Sequence, residues 1–266
     1  MSQIAIFWKL LNMAKNAIFQ YFLNFNGVGK QGHHYPTEGT PEWATRSVNY
    51  FKHYANKHGA DYHFFRDRFI NATSNFFEVT RVYMDPVFDQ YDKVLYCDVD
   101  VMPKNMDANV FDIPVVDVAG WPEHRHPDIG VQVNWSAGMI AARFNDFQIP
   151  LVRPISHGGN LRMVNSGVML WSKQARLKAR ELFMDHEVWF KHKNALLDPQ
   201  WSGFGHSSHC LDQPFLNAMW NKHNFNVLEL EIEWNRFPTK DENRNCNFAH
   251  YVGDYRFNIP RQFPEL

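Results

Sequence analysis

Cysteine is scarce in this chain. Only Cys97, Cys210 and Cys246 occur among 266 residues. An odd, sparse set is no disulfide framework and fits a reducing compartment, so the expected location is the cytoplasm. Neither sign of charge is in excess, with 27 Lys and Arg against 28 Asp and Glu. Without a basic block there is no footprint for a phosphate backbone, and a nucleic-acid partner is not expected. Long apolar runs are missing at the start of the chain. Ile4 to Leu11 is broken by Lys9, is too short to span a bilayer, and lacks the basic start and small-residue cleavage site of a signal peptide. Residues 1–16 read as an N-terminal extension whose first 12 are optional or a weak surface helix; membrane contact is the less favoured reading. Also absent are a Gly-rich phosphate loop, a Gly-x-Ser-x-Gly nucleophile signature, internal repeats and low-complexity segments. His124-Arg125-His126 and His206-Ser207-Ser208-His209-Cys210 lack a full zinc set at familiar spacing. Asn71-Ala72-Thr73 and Asn134-Trp135-Ser136 match a glycosylation acceptor pattern that is common by chance.

Aromatic residues, by contrast, make up 16% of the chain, enough to pack a large core and to line a groove with flat walls. The length suits one large domain or two fused lobes. Ala17 to Leu23 reads as a buried strand. Thr40-Pro41 reads as a helix N-cap followed by Pro at the first helical position. Ala44, Val48, Phe51 and Ala55 then recur at helical spacing, and Gly59 ends the helix. Strands are expected at Asp61 to Phe65, Lys93 to Cys97, Val115 to Ala119, Val168 to Trp171 and Val227 to Leu230. Helices are expected from about Asn75 to Tyr83, from Lys173 to Phe190 with Ala175, Ala179, Leu182 and Phe183 on one side, and from Asp212 to Trp220. Residues 123–164 read as long loops with small elements. Strands alternating with helices predict an α/β sandwich with a mostly parallel sheet, in which ligands bind at the carboxyl ends of strands.

Asp98 falls at such an end. In Tyr96-Cys97-Asp98-Val99-Asp100 an apolar strand runs into two carboxylates two positions apart. Both can reach one divalent cation, and carboxylate oxygens suit Mg²⁺ or Mn²⁺. The spacing alone is weak, since about one such pair is expected by chance in a chain of average composition. A solvated turn is the competing reading of this pair. The context strengthens the cation, because two acids at a strand end need something to offset their repulsion.

Four segments, in order, resemble the retaining glycosyltransferases of family 8, the GT-A-fold family that includes glycogenin and the bacterial lipooligosaccharide galactosyltransferases. The first is Tyr91 to Val101, with Cys97 where the family has Leu; Arg81 precedes Asp98 by seventeen positions. The second is Asn165-Ser166-Gly167-Val168-Met169-Leu170, the third Leu211-Asp212-Gln213-Pro214-Phe215-Leu216-Asn217, and the fourth His250-Tyr251-Val252-Gly253-Asp254-Tyr255-Arg256. Trp234-Asn235 adds a weaker match to an aromatic-Asn pair. Arg256 stands for the family's Lys, and Phe257-Asn258 for its Pro-Trp. Residues 18–65 fit by alternation only, and 121–164 match poorly.

The resemblance implies a single GT-A (Rossmann-like) catalytic domain over 17–266, with a nucleotide-binding half at 17–120 and an acceptor and donor-sugar half at 121–266. It implies a metal held by Asp98, Asp100 and His250. It implies donor contacts from Arg81, Asp98, Asn165, Ser166, Asp212, Gly253 and Arg256, and catalytic roles for Gln213, near the reacting anomeric carbon, for Asp212 and for Arg256. The implied cofactor is Mn²⁺ or Mg²⁺, the donor a nucleotide-sugar, uridine-based by resemblance, and the other partner a carbohydrate or glycosylated acceptor. Plainer readings exist for each residue: Arg81 as a surface helix charge, Asn165 to Gly167 as a turn, Asp212 as a helix N-cap, and His250 as a structural tail residue. Two other activities stand beside the transferase. A sugar nucleotidyltransferase needs a Gly- and basic-rich loop, for which Asn26-Gly27-Val28-Gly29-Lys30 is a faint candidate. An inactive carbohydrate-binding protein would have no use for intact metal ligands.

Overall fold

The computed structural model of the chain describes residues 14–23, 39–123, 137–151, 156–157, 160–161, 163–192, 211–237, 245–252 and 258–260. The expectations for residues 1–12, the two His clusters, Cys210, Asn134, the 26–30 segment, Gly253 and Arg256 lie outside them.

Strand β1 (Asn16–Tyr21) leads to helix α1 (Glu42–Lys57) and strand β2 (Asp61–Phe65). A 3₁₀ turn at Asn75–Thr80 runs into the short helix α2 (Arg81–Met84). Strands β3 (Lys93–Cys97), β4 (Val101–Pro103) and β5 (Val118–Pro122) follow, then helix α3 (Ala137–Asp146) and the two-residue strands β6 (Ser156–His157) and β7 (Asn160–Leu161). The last part holds β8 (Val164–Ser172), α4 (Lys173–Leu182), α5 (His186–Lys191), α6 (Asp212–Lys222), β9 (Val227–Glu229) and β10 (Phe248–His250).

Among the described residues the main sheet has six strands in the order β2-β1-β3-β8-β5-β9. β1 pairs in parallel with β2 and β3, and β5 with β9; β8 runs antiparallel to both of its neighbours, β3 and β5. Five strands therefore share one direction and β8 alone is reversed. The sheet is mostly parallel, as the alternation of elements predicts.

Both faces of this sheet are covered, which is why its strands read as continuous apolar runs and not as a polar–apolar alternation. Successive side chains still alternate between the faces. Phe19, Val94, Tyr96, Met169 and Trp171 enter one core with Phe215, Met219 and Trp220 of α6 and Ala175 and Ala179 of α4. Ile18, Leu95, Cys97, Val168 and Leu170 enter the other, with Phe51, Tyr54 and Ala55 of α1. Ala44 and Val48 of α1 are buried as expected.

Several boundaries differ from expectation. Pro41, in an extended conformation, is itself the N-cap of α1, and no side chain caps that end; the Thr40 hydroxyl instead accepts from Arg66. The strand expected at Val115 to Ala119 lies three residues later. Val116 is 62% exposed, and pairing with β8 carries the strand on through Pro122, tolerated at the strand's end beside a register irregularity. β8 begins at Val164, four residues early, so Asn165 to Gly167 belong to a strand and not to a turn. The helix expected over Lys173 to Phe190 is two helices. Phe183 leaves helical backbone, and the Asp185 carboxylate caps a new helix by accepting from the Glu187 amide. Leu182, expected on the core side, is 40% exposed.

Candidate functional site

Because β8 is reversed, its amino end lies beside the carboxyl ends of β3 and β5. Three stretches thus meet at one edge of the sheet: Asp98 after β3, Glu123 after β5, and Asn165-Ser166-Gly167 entering β8. The Asp98 amide donates to the Gly167 carbonyl at 2.8 Å. The turn from Asp98 into β4 is held from below by Gln20 of β1, whose Nε2 donates to the Asp98 carbonyl at 3.0 Å and to Ser47 Oγ at 3.1 Å. The Ser47 hydroxyl in turn donates to the Val101 carbonyl. β4 pairs with β10 so that His250 sits opposite Val101, and the Tyr251 amide donates to the Asp100 carbonyl at 2.7 Å. That pairing brings the histidine to the two acids.

His250 Nε2 lies 3.2 Å from Asp100 Oδ1 and 3.7 Å from Asp98 Oδ2. One ligand atom from each of Asp98, Asp100 and His250 lies within 4.8 Å of the other two. Oxygens and nitrogens on a small octahedral cation, at ~2.1 Å from it, are ~3.0 Å apart when adjacent and ~4.2 Å when opposite. The cluster matches such a cation after closing by a few tenths of an ångström. Asp100 and His250 are buried, whereas Asp98 is partly open, so a ligand can complete the shell from the Asp98 side. The Tyr96 hydroxyl donates to Asp98 Oδ1 and orients that carboxylate.

The protonation pattern of His250 can be followed along a line of amides. The Gly167 amide donates to Asn165 Oδ1 at 2.9 Å. A backbone N–H only donates, so the Asn165 atom facing it is the oxygen. Asn235 Nδ2 donates to the same oxygen at 2.8 Å, which turns Asn235 Oδ1 towards His250 Nδ1 at 2.9 Å. Nδ1 therefore carries the hydrogen. Nε2 is left facing two carboxylates, an arrangement that needs a proton or a cation between them. A histidine whose far nitrogen donates to a fixed oxygen is the usual state of a metal ligand. Gly167 is required for this packing: a Cβ there would lie 2.3 Å from His250 Cε1 and 2.9 Å from both His250 Nδ1 and Asp98 Oδ2.

Asp212 opens α6 as its first residue; Leu211, not Asp212, is the N-cap. Its carboxylate accepts from the Ser166 hydroxyl. Burial first, then the charge of Asp98, push its pKa up to about 7, against the opposing hydrogen bonds of Ser166 and the helix amides. Gln213 Oε1 accepts from Asn165 Nδ2 and from the Ser166 amide, each at 3.2 Å, and its Nε2 donates to Glu123 Oε2 at 2.7 Å. Burial raises the pKa of Glu123 above the usual carboxylate value, while its bond to Gln213 and the charge of His250 lower it. Asn217, one helical turn beyond Gln213, bonds both the amide and the carbonyl of Val164 at 2.9 Å and so locks α6 to the start of β8.

Arg81 is not a surface charge. It is 6% exposed, paired with Asp85 at 2.9 Å, and its guanidinium carbon lies 3.4 Å above the ring of Phe65. Phe65 ends β2, so Arg81 stands at the same edge of the sheet as Asp98; its partners there are Asp67, Glu78 and Asp85. Of the residues expected at the site, Asp98, Asp100, Asn165, Ser166, Asp212, Gln213 and His250 form one connected group. No motif of the sequence points to Glu123 or Gln20, and Asn217 stands in the third motif without a role of its own. Glu123 bears the same mark as Asp98, an acid directly after an apolar strand, and is hidden only when β5 is placed three residues early.

A mixed sheet whose single reversed strand meets a strand-end Asp-x-Asp, closed by a histidine from a strand distant in sequence, is a GT-A glycosyltransferase fold. Solved structures agree at the level of the fold. A glycosyltransferase involved in the glycosylation of the major capsid of PBCV-1 is 11% identical, with a TM-score of 0.52 over 92% of this chain and 97% of that one. The bifunctional glycosyltransferase WbbM is 12% identical, with a TM-score of 0.51 over 91% of this chain and 46% of that one. No family model matches the sequence, and no curated protein is significantly similar to it.

Proposed function

We propose that this chain is a metal-dependent glycosyltransferase that moves a sugar from a nucleotide-sugar, a UDP-sugar by its sequence resemblance, to a carbohydrate or glycosylated acceptor with retention of configuration. The observation that carries the reading is the Asp98–Asp100–His250 cluster at the carboxyl edge of the sheet, with His250 Nε2 turned towards both carboxylates. Two carboxylates and one imidazole are a donor set for Mn²⁺, with Mg²⁺ the second choice. When bound, the ion offsets the charge that builds on the departing nucleotide diphosphate.

The rest is done by the chain's own groups. Asp212 accepts hydroxyls of the donor sugar, and Asn165 and Ser166 line its pocket. Gln213 meets the reacting centre. Its carbonyl oxygen is already bonded to Asn165 and Ser166, which makes it a poor nucleophile and favours same-face attack, with the leaving phosphate taking the acceptor's proton. Arg81 contacts the donor from the β2 side. The sequence motif assigns Gly253 and Arg256 to the diphosphate. Residues 17–120 supply the nucleotide half and 121–266 the sugar and acceptor half. Free thiols at Cys97 and Cys246 fit a reducing location such as the cytoplasm. No helix among the described residues is long and apolar enough to cross a membrane.

The test is donor hydrolysis. Purified protein is given a panel of UDP- and GDP-sugars with Mn²⁺ or EDTA, and released nucleotide is followed. Release from one donor that needs Mn²⁺ and disappears in Asp100→Ala is the expected result. Several kcal/mol of charge stabilisation corresponds to roughly 10²–10³-fold in rate. No release from any donor, together with no metal-dependent nucleotide binding by calorimetry, would overturn the reading.

A further inference from the structure

Gln213 has four hydrogen-bonding places on its amide, two lone pairs and two N–H hydrogens. Both lone pairs are taken inside the protein, by Asn165 Nδ2 and the Ser166 amide. One hydrogen is taken by Glu123 Oε2 at 2.7 Å. The second N–H has no partner among the described residues. Because Gln213 is partly exposed, its side chain would otherwise swing on three torsions. The two bonds to its oxygen, each at 3.2 Å, are at the long end of the ordinary range, and the 2.7 Å bond to Glu123 is the shortest of the three.

We infer that Glu123 is a positioning residue: it clamps Gln213 so that the amide offers the reacting centre a single fixed N–H donor and no acceptor. This rests on the reading of the site as a sugar-transfer centre and adds to it a residue outside every motif of the chain. Glu123 reaches this place because β5 runs parallel to β3 and releases its first polar side chain at the same edge of the sheet. The backbone there is fixed, since the Glu123 amide donates to the Met163 carbonyl at 2.8 Å, just ahead of β8. The carboxylate is therefore presented by two strands and not by a loose loop.

Two variants and one spectrum test the inference. Glu123→Met keeps the length of the side chain and removes the acceptor. Misplacing a group at the reacting centre by about 1 Å can cost ~10²-fold, so kcat for donor hydrolysis should fall by about that factor. KM for the donor should change by less than kcat does, and saturating Mn²⁺ removes any effect of the lost Glu123 charge on His250. Glu123→Gln keeps an oxygen to accept from Gln213 and should recover most of kcat. In the wild-type protein one of the two Gln213 Nε2 protons should resonate downfield and exchange slowly with solvent, and in Glu123→Met this proton should lose both properties. Wild-type Nε2 protons that exchange equally fast overturn the clamp without any variant, so a variant that fails to fold does not shelter it. Unchanged kcat in a folded Glu123→Met overturns it as well. Should the wild type hydrolyse no donor, the transferase reading fails, while the Gln213 spectrum still decides the clamp.

Discussion

Gly167 and His250 are packed so closely that a methyl group on the glycine would lie 2.3 Å from the imidazole Cε1. The ring cannot yield freely, because Asn235 holds its Nδ1 and the residue is 3% exposed. Gly167→Ala should therefore push His250 off the two carboxylates. Overpacking of this kind costs ~1–3 kcal/mol. Calorimetry with Mn²⁺ and UDP should show at least a tenfold loss of affinity, and wild-type affinity in the variant would contradict the packing described here.

Asn235 touches no candidate ligand oxygen but fixes the hydrogen on His250 Nδ1. Partners of this sort contribute ~10–100-fold to metal affinity. Asn235→Leu, similar in size, should lower Mn²⁺ affinity by about that factor with little change in secondary structure by circular dichroism. A variant with intact affinity would show that the ring needs no such support.

Asn217 is fully buried and bonds both backbone groups of Val164. Asn217→Ala leaves an N–H and a C=O without these partners in a dry contact between α6 and β8. Each costs ~1–3 kcal/mol. Urea unfolding should show a loss of about 3 kcal/mol. A loss under about 1 kcal/mol would mean that water replaces the side chain.

His63 Nε2 lies 2.8 Å from the Tyr91 hydroxyl, which donates its own proton to Asp61. His63 must therefore donate from Nε2. Burial is the main cause that lowers its pKa below the ordinary 6.5. The unfolded chain then takes up the proton first as pH falls. This histidine's contribution to stability is present above about pH 6.5 and declines below it, down to the folded pKa. An NMR titration should place its midpoint under 6.5, and His63→Gln should flatten that part of the stability profile. A midpoint above 6.5 would reverse the sign.

Much of the architecture can be read locally. The apolar run of Ala17, Ile18 and Phe19, the helical spacing of Ala44, Val48, Phe51 and Ala55, and the acids after Cys97 all act through neighbours a few positions away. The errors have a common origin in partners far along the chain. The apolar run that begins at Val115 places β5 early, yet hydrogen bonding to β8 decides where the strand starts and stops. Asn165 to Gly167 read as a turn by composition, but they lie in a strand between two paired neighbours. The helix break at Phe183 leaves no Pro or Gly as a signal; the Asp185 cap alone marks it.

By itself the sequence determined most strands of the main sheet and the helices that flank them, the strand-end carboxylates Asp98 and Asp100, and the residue types of the candidate site, but not β4, α3 or β10. Periodicity and turn chemistry are properties of short stretches, so they need nothing beyond them. The tertiary structure alone decided that β8 runs backwards, that His250 crosses 150 positions of chain to stand beside Asp100, and that Glu123 faces Gln213. Strand direction and side-chain convergence depend on which distant backbone groups pair and which faces are buried together, and no local window of sequence contains that information.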